Sequence, residues 1–231
     1  MTPPATPPHG TPDAPLLTVR GEAEIDAEPE TARIGVTITA RGRDRRTTLD
    51  DLTRRNTTAL DLIKSYGDAV EHVTTGSITI TPELTPHGRG ERVRSHHGRV
   101  HLTAELTDFT ALAELTTRLA DLELTQVDGP SWALRPDSPV PAQARRQAVH
   151  QALQRAREYA DALGTTIAAL IELTDTGTDP THPGHGPLER GGRRTAFAHP
   201  DEPAQPLDLE PPRLRISAQV SAQFTMRPPQ I

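Results

Sequence analysis

The stretch PAQARRQAVHQALQRAREYADALG, residues 141–164, decides how this chain is built. Alanine recurs at every fourth position, at Ala144, Ala148, Ala152, Ala156 and Ala160. Residues four apart share one face of a helix, so the spacing predicts a helix with a smooth stripe that can approach a neighbouring sheet closely. Val149, Leu153 and Leu163 widen the stripe on one side, while Arg145, Arg155, Arg157, Glu158 and Asp161 are left for solvent. Gly164 supplies the left-handed cap that ends the helix. This is a packing element and displays no reacting group.

Strands follow from this helix outward. Ile167, Ala169, Ile171 and Leu173 alternate just after it, and Leu214, Ile216, Ala218, Val220, Ala222, Phe224 and Met226 alternate without a break further on. Such a strand must be half buried against an earlier sheet, because it is not stable alone. Between the two, residues 175–212 turn to Gly, Pro, His, Asp and Arg, which predicts a long exposed or disordered insertion.

Upstream, Leu17, Val19, Gly21, Ala23 and Ile25 alternate with polar residues, and Ala32, Ile34, Val36, Ile38 and Ala40 do the same after the turn at 26–30. We read these two as an antiparallel hairpin. Leu49, Leu52, Ala59, Leu60 and Ile63 switch to helical spacing, which Gly67 stops. The pattern then repeats. Ile78 and Ile80 lie in a strand over 73–82, and Val100, Leu102, Ala104 and Leu106 lie in the next, with 85–97 as a polar hairpin tip. Asp108 is placed to cap a helix carrying Phe109, Leu112, Leu115, Leu119 and Leu122. A strand over 125–134 changes phase at Gly129-Pro130, as a bulge does. The predicted order is ββα-ββα-β-α-β-loop-β. This is an α+β fold of mainly antiparallel sheets with helices on one face. Residues 1–15 read as a disordered tail and 16–226 as one domain.

Composition sets the outer bounds. The 231 residues include 34% hydrophobic and 3% aromatic residues, with 23 Pro and 16 Gly concentrated outside the periodic segments. A net charge of −6 argues against a nucleic-acid surface. With no Cys, the fold has neither disulfides nor thiolate chemistry. The first residues carry no basic start and no apolar run, and no stretch approaches the roughly 20 apolar residues of a membrane span, so a cytoplasmic location is expected.

Three features resemble the SIMPL domain family, the domain of unknown function 541. They are the opening Val19-x-Gly21 followed by Pro29-Glu30-Thr31-Ala32, the strand from Val73 through Gly76 to Pro82, and above all the alanine-repeat helix running into a strand. The sequence departs from the family at Glu83, where an aromatic is common, and in the length of the 175–212 segment. The resemblance covers about residues 16–226 and implies a bacterial protein with non-enzymatic roles in stress protection, surface antigenicity, oligomeric assembly or adaptor-like signalling. It carries over no catalytic residue.

His97 and His101 share a strand face but stand about 13 Å apart at 3.3 Å per residue, too far for one zinc with ligands at about 2 Å, and His96 points to the other face. His182, His185 and His199 sit in the Pro/Gly-rich segment, where a linker has the same composition. Arg41, Arg43, Arg45 and Arg46, with Arg54 and Arg55, form the densest basic patch. It lacks interleaved aromatics and reads as a solvated helix entry that Asp44 caps. Asp50 and Asp51 are adjacent on a helix and face apart. Ser77 and Ser131 read as strand residues and Trp132 as a core or interface anchor. No catalytic, cofactor-binding or metal-ligating residue is assigned. The expectation is a non-catalytic protein, not an enzyme, that acts by self-association or through a protein partner, with no nucleic acid and no membrane span. The alternatives are a small-ligand carrier or enzyme whose pocket comes from distant residues, and a cytoplasmic adaptor using 175–212 as bait.

Overall fold

The structure, a computed structural model, describes residues 10–84, 93–177 and 207–229. Its elements are β1 (Leu16–Ala27), β2 (Thr31–Gly42), α1 (Arg45–Lys64), β3 (Val70–Leu84), β4 (Val93–Leu106), α2 (Phe109–Ala120), β5 (Thr125–Ala133), α3 (Val140–Ala162), β6 (Ile167–Asp175) and β7 (Leu214–Met226). This is the α+β order read from the sequence, with antiparallel sheets. The elements divide into two compact units.

The first unit is a three-stranded sheet in the order β1-β7-β6 with α3 on one face. Every alanine of the stripe is 0 to 1% exposed. The stripe packs with Val19, Ala218, Val220, Ala222 and Phe224, and Val149 and Leu153 flank it as partly buried neighbours. Gly21 shows why the stripe is made of alanine. A Cβ there would stand 2.0 Å from the carbonyl oxygen of Ala148 and 2.6 Å from the amide nitrogen of Ala152. Gly164 adopts φ +64°, the left-handed cap expected of it.

The second unit is a four-stranded sheet, β3-β4-β2-β5, with α1 and α2 on one face. Alternate residues Ala32, Ile34, Val36 and Ile38 of β2 and Leu102, Ala104 and Leu106 of β4 are completely buried. They meet Leu52, Ala59 and Ile63 of α1 and Leu112, Leu115 and Leu119 of α2. Each fully buried Leu or Ile contributes about 1.5 to 3 kcal/mol. Both helices begin as read. Asp44 Oδ1 accepts from Thr47 N at 2.9 Å, and Asp108 Oδ1 accepts from Thr110 N at 2.8 Å. Trp132 joins this core through an edge-on contact with Phe109, ring centroids 4.8 Å apart. Opposite Gly129-Pro130 the β2–β5 register shifts, as a bulge requires.

Four readings need correction. β1 and β2 are not a hairpin, because β1 pairs with β7 while β2 pairs with β4 and β5. Alternation names the face of a strand and is silent about its neighbour. In β6 two register shifts break the simple alternation, so that Ile167, Leu170 and Leu173 oppose Met226, Phe224 and Ala222. Arg155 is not free in solvent, since its guanidinium donates to the Arg20 carbonyl at 2.8 Å. Nor is Leu163 part of the buried stripe, being 42% exposed.

The segment boundaries also shift. Ser95 and His96, assigned to the hairpin tip, lie in β4. At the two ends of the 175–212 segment, Asp175 closes β6 opposite Val220, and Leu209 packs against the core of the second unit. Residues 178–206 fall outside the described residues, and so do 1–9 of the expected N-terminal tail. Within 10–15, Thr11 and Ala14 bridge, and the Pro15 carbonyl accepts from the Met226 amide at 2.9 Å.

Candidate functional site

The second unit buries one face of its sheet and leaves the other polar. Along β2 that open face carries Arg33, Gly35, Thr37, Thr39 and Arg41, and along β4 it carries Ser95, His97, Arg99, His101, Thr103 and Glu105. Both histidines of the 97–101 pair stand here. The imidazole of His101 shares a hydrogen bond with Thr37 Oγ1 at 3.2 Å and rests against Gly35, where a Cβ would be 3.0 Å from Cε1. His96 turns to the helix side, where its buried Nδ1 has no hydrogen-bond partner among the described residues. Among the described residues no three His, Asp or Glu converge on one metal position. His182, His185 and His199 lie outside those residues.

The densest polar cluster on this face is one the sequence did not reveal. Ser95 Oγ donates to Glu83 Oε2 at 2.6 Å, the Arg41 guanidinium donates to the same carboxylate oxygen, and Arg41 Nε donates to Ser95 Oγ at 3.3 Å. An open cleft of about 510 Å³ lies beside it, lined by Thr39, Arg41, Thr81, Pro82, Glu83 and His97. The Ser95 hydrogen bond, and after it Arg41, hold the Glu83 carboxyl below the usual carboxylate range. A carboxylate held ionised in this way is a poor proton acceptor, and Ser95 is only 8% exposed, its hydroxyl both donating to Glu83 and accepting from Arg41. The cluster therefore fastens β2, β3 and β4 at one end of the sheet.

Its pH dependence follows from the sign of the shift. Glu83 has a folded pKa below its unfolded value. Its contribution to stability is thus complete above the ordinary value of about 4.5 and is lost as pH falls through the lowered one. Glu83→Gln is expected to flatten the stability curve below about pH 5 relative to wild type. Acid denaturation curves that run parallel would show that the ionised carboxylate contributes nothing.

Half of the basic patch is paired with carboxylates. Arg41 pairs with Glu83, Arg54 and Arg55 both pair with Asp51, and Arg55 also reaches Glu123. The hydrogen bonds from Arg54 and Arg55 lower the pKa of Asp51, and Asp44 is lowered by the Thr47 amide that it caps. Arg43, Arg45 and Arg46 stay exposed. Ser131 Oγ donates to the Arg33 carbonyl at 3.3 Å, a bond between strands, and Ser77 is exposed on β3.

A second candidate surface belongs to the first unit. Among the described residues strand β6 borders β7 on one side only, and α3 packs on β1 and β7 and barely touches it. Leu170, Ile171 and Leu173 are consequently 53%, 48% and 46% exposed on an edge strand. Apolar side chains beside unpaired backbone groups form a surface that accepts another strand.

The 26 kDa periplasmic immunogenic protein of Brucella melitensis biotype 1 is 23% identical over 198 residues, covering 83% of this chain and 77% of the relative. The protein of the same name from Brucella abortus strain S19 matches with the same identity and coverage. A Burkholderia cenocepacia structure solved under an amidohydrolase/peptidase description aligns with 56% of this chain and 35% of its own, at 19% identity and a TM-score of 0.31. The overlap spans about a third of that protein and gives no ground for transferring its description. The profile of the family described as SIMPL, Protein of unknown function (DUF541), matches residues 17–224, and the chain belongs to that family.

Proposed function

We propose that this SIMPL-family protein works without catalysis, by joining to further copies of itself through the open β6 edge. The observation that supports the reading is the exposure of Leu170, Ile171 and Leu173 on a strand that, among the described residues, pairs on one side only. The mutual bonding of Glu83, Ser95 and Arg41 supports only the non-catalytic part of this reading. Replacing both Leu170 and Leu173 by Lys places charge on the edge and is expected to lower the native mass measured by sedimentation. The thermal midpoint should stay close to that of wild type, since both sites are half exposed. A wild-type chain that sediments as a monomer at every concentration overturns self-association. Equal masses for wild type and variant overturn the role of β6.

No helix among the described residues is long and apolar enough to cross a membrane. The expected cytoplasmic location draws no support from the Brucella relatives, which carry periplasmic names. Fractionation of the producing cell decides between the two compartments. The adaptor reading rests on a segment lying mostly outside the described residues.

A further inference from the structure

The three-stranded sheet has two edges, β6 and β1, and they are treated differently. Antiparallel pairing with β7 leaves alternate backbone groups of β1 pointing away from the sheet. At the centre of that outer row two such groups are already occupied. Arg155 Nη1 of α3 donates to the Arg20 carbonyl at 2.8 Å, and the Gln151 side-chain oxygen of α3 accepts from the Glu22 amide. Gly21 lies between them and lets the helix backbone settle at a distance no side chain would permit. Among the described residues the edge of β6 has no comparable cover, and its side chains are mostly exposed.

We propose that Gln151 and Arg155 are a built-in edge block, whose work is to deny β1 to the edge strand of another copy. Their side chains imitate the acceptor and donor that an added strand would present, and they do so where the pairing would have to pass. This deepens the proposed function and rests on it in one respect. With β1 closed, pairing through β6 alone uses one self-complementary edge and ends at two copies. With β1 open, each copy has two usable edges and growth has no natural end.

The test is the double variant Gln151→Ala/Arg155→Ala, measured by light scattering over a concentration series. Amide exchange at Glu22 and a thermal melt accompany it. The expected result is faster exchange at Glu22 and at least a doubling of the weight-average mass, rising with concentration. Gln151→Glu/Arg155→Lys keeps an acceptor and a donor and is expected to restore the wild-type mass. A folded double variant whose Glu22 amide exchanges quickly while its mass stays at the wild-type value overturns the block. So does loss of folding in both single alanine variants, which would assign the two residues to stability alone. Adding Leu170→Lys and Leu173→Lys separates the two proposals. Larger species that persist in this background leave the block standing and remove β6 from the assembly.

Discussion

Gly21→Ala is expected to lower the thermal midpoint by about 6 to 12 °C. This corresponds to about 3 kcal/mol of overpacking in a chain where 1 kcal/mol moves the midpoint by about 2 to 4 °C. The new Cβ would meet the Ala148 carbonyl oxygen at 2.0 Å and the Ala152 amide nitrogen at 2.6 Å, and both are helix backbone that cannot swing aside. The strand and α3 would have to part, which also loosens the packing around Ala148 and Ala152. Gly164 is the informative control. It has φ +64° and nothing within 4 Å of an added Cβ, so Gly164→Ala costs only the left-handed conformation, about 1 to 2 kcal/mol. A midpoint for Gly21→Ala within a degree of wild type would mean that the helix does not sit against the strand at this point.

Leu102→Ala is expected to cost about 2 to 5 kcal/mol, read as a shift of the urea midpoint at constant slope. Leu102 lies on β4 with no exposed surface, inside the core that β2 and β4 share with α1 and α2. The packed neighbours cannot close fully on the space left behind. Ile78, opposite Val100 on the edge strand β3, is 59% exposed, and Ile78→Ala should fall within about 0.5 kcal/mol. Both residues lie on the helix-facing side of the sheet, so similar losses at the two positions would contradict the uncovering of that face at the β3 edge.

The elements were legible in the sequence because each carried its period. The alanine repeat marked α3, the unbroken alternation of Leu214 to Met226 marked β7, and Asp44 and Asp108 marked two helix starts, all as the structure has them. Pairing was less legible. The three residues between β1 and β2 looked like a hairpin link, yet the chain leaves one sheet there and enters the other, and no local signal distinguishes these outcomes. The phase of β6 was misread because two bulges insert residues that alternation cannot anticipate. The Arg41–Glu83–Ser95 cluster was invisible for a related reason. Its members come from three strands, and only the register of β3 and β2 against β4 sets them side by side. The signal at Gly21 was present, as a glycine inside a strand pattern, but its cause is a helix more than a hundred residues away.

The pairing of β1 with β7 runs along the whole of both strands, from Leu16 opposite Thr225 to Ala27 opposite Leu214. Nearly the full length of the polypeptide separates the two partners, so this ladder has a very high contact order and closes late. During synthesis β1 emerges early and waits without its neighbour, at about 5 to 20 residues per second, until β7 has left the ribosome. The strands β2 to β5 and their two helices are complete in sequence by Ala133 and need no such wait. Side-chain bonds from α3 to Arg20 and Glu22 become available once residue 155 has been made, well before β7 exists. A truncated or stalled chain ending before Leu214 therefore exposes the β7-facing side of β1 to whatever strand comes first. That makes the last dozen residues of the fold the point at which nascent copies are most easily lost to aggregation.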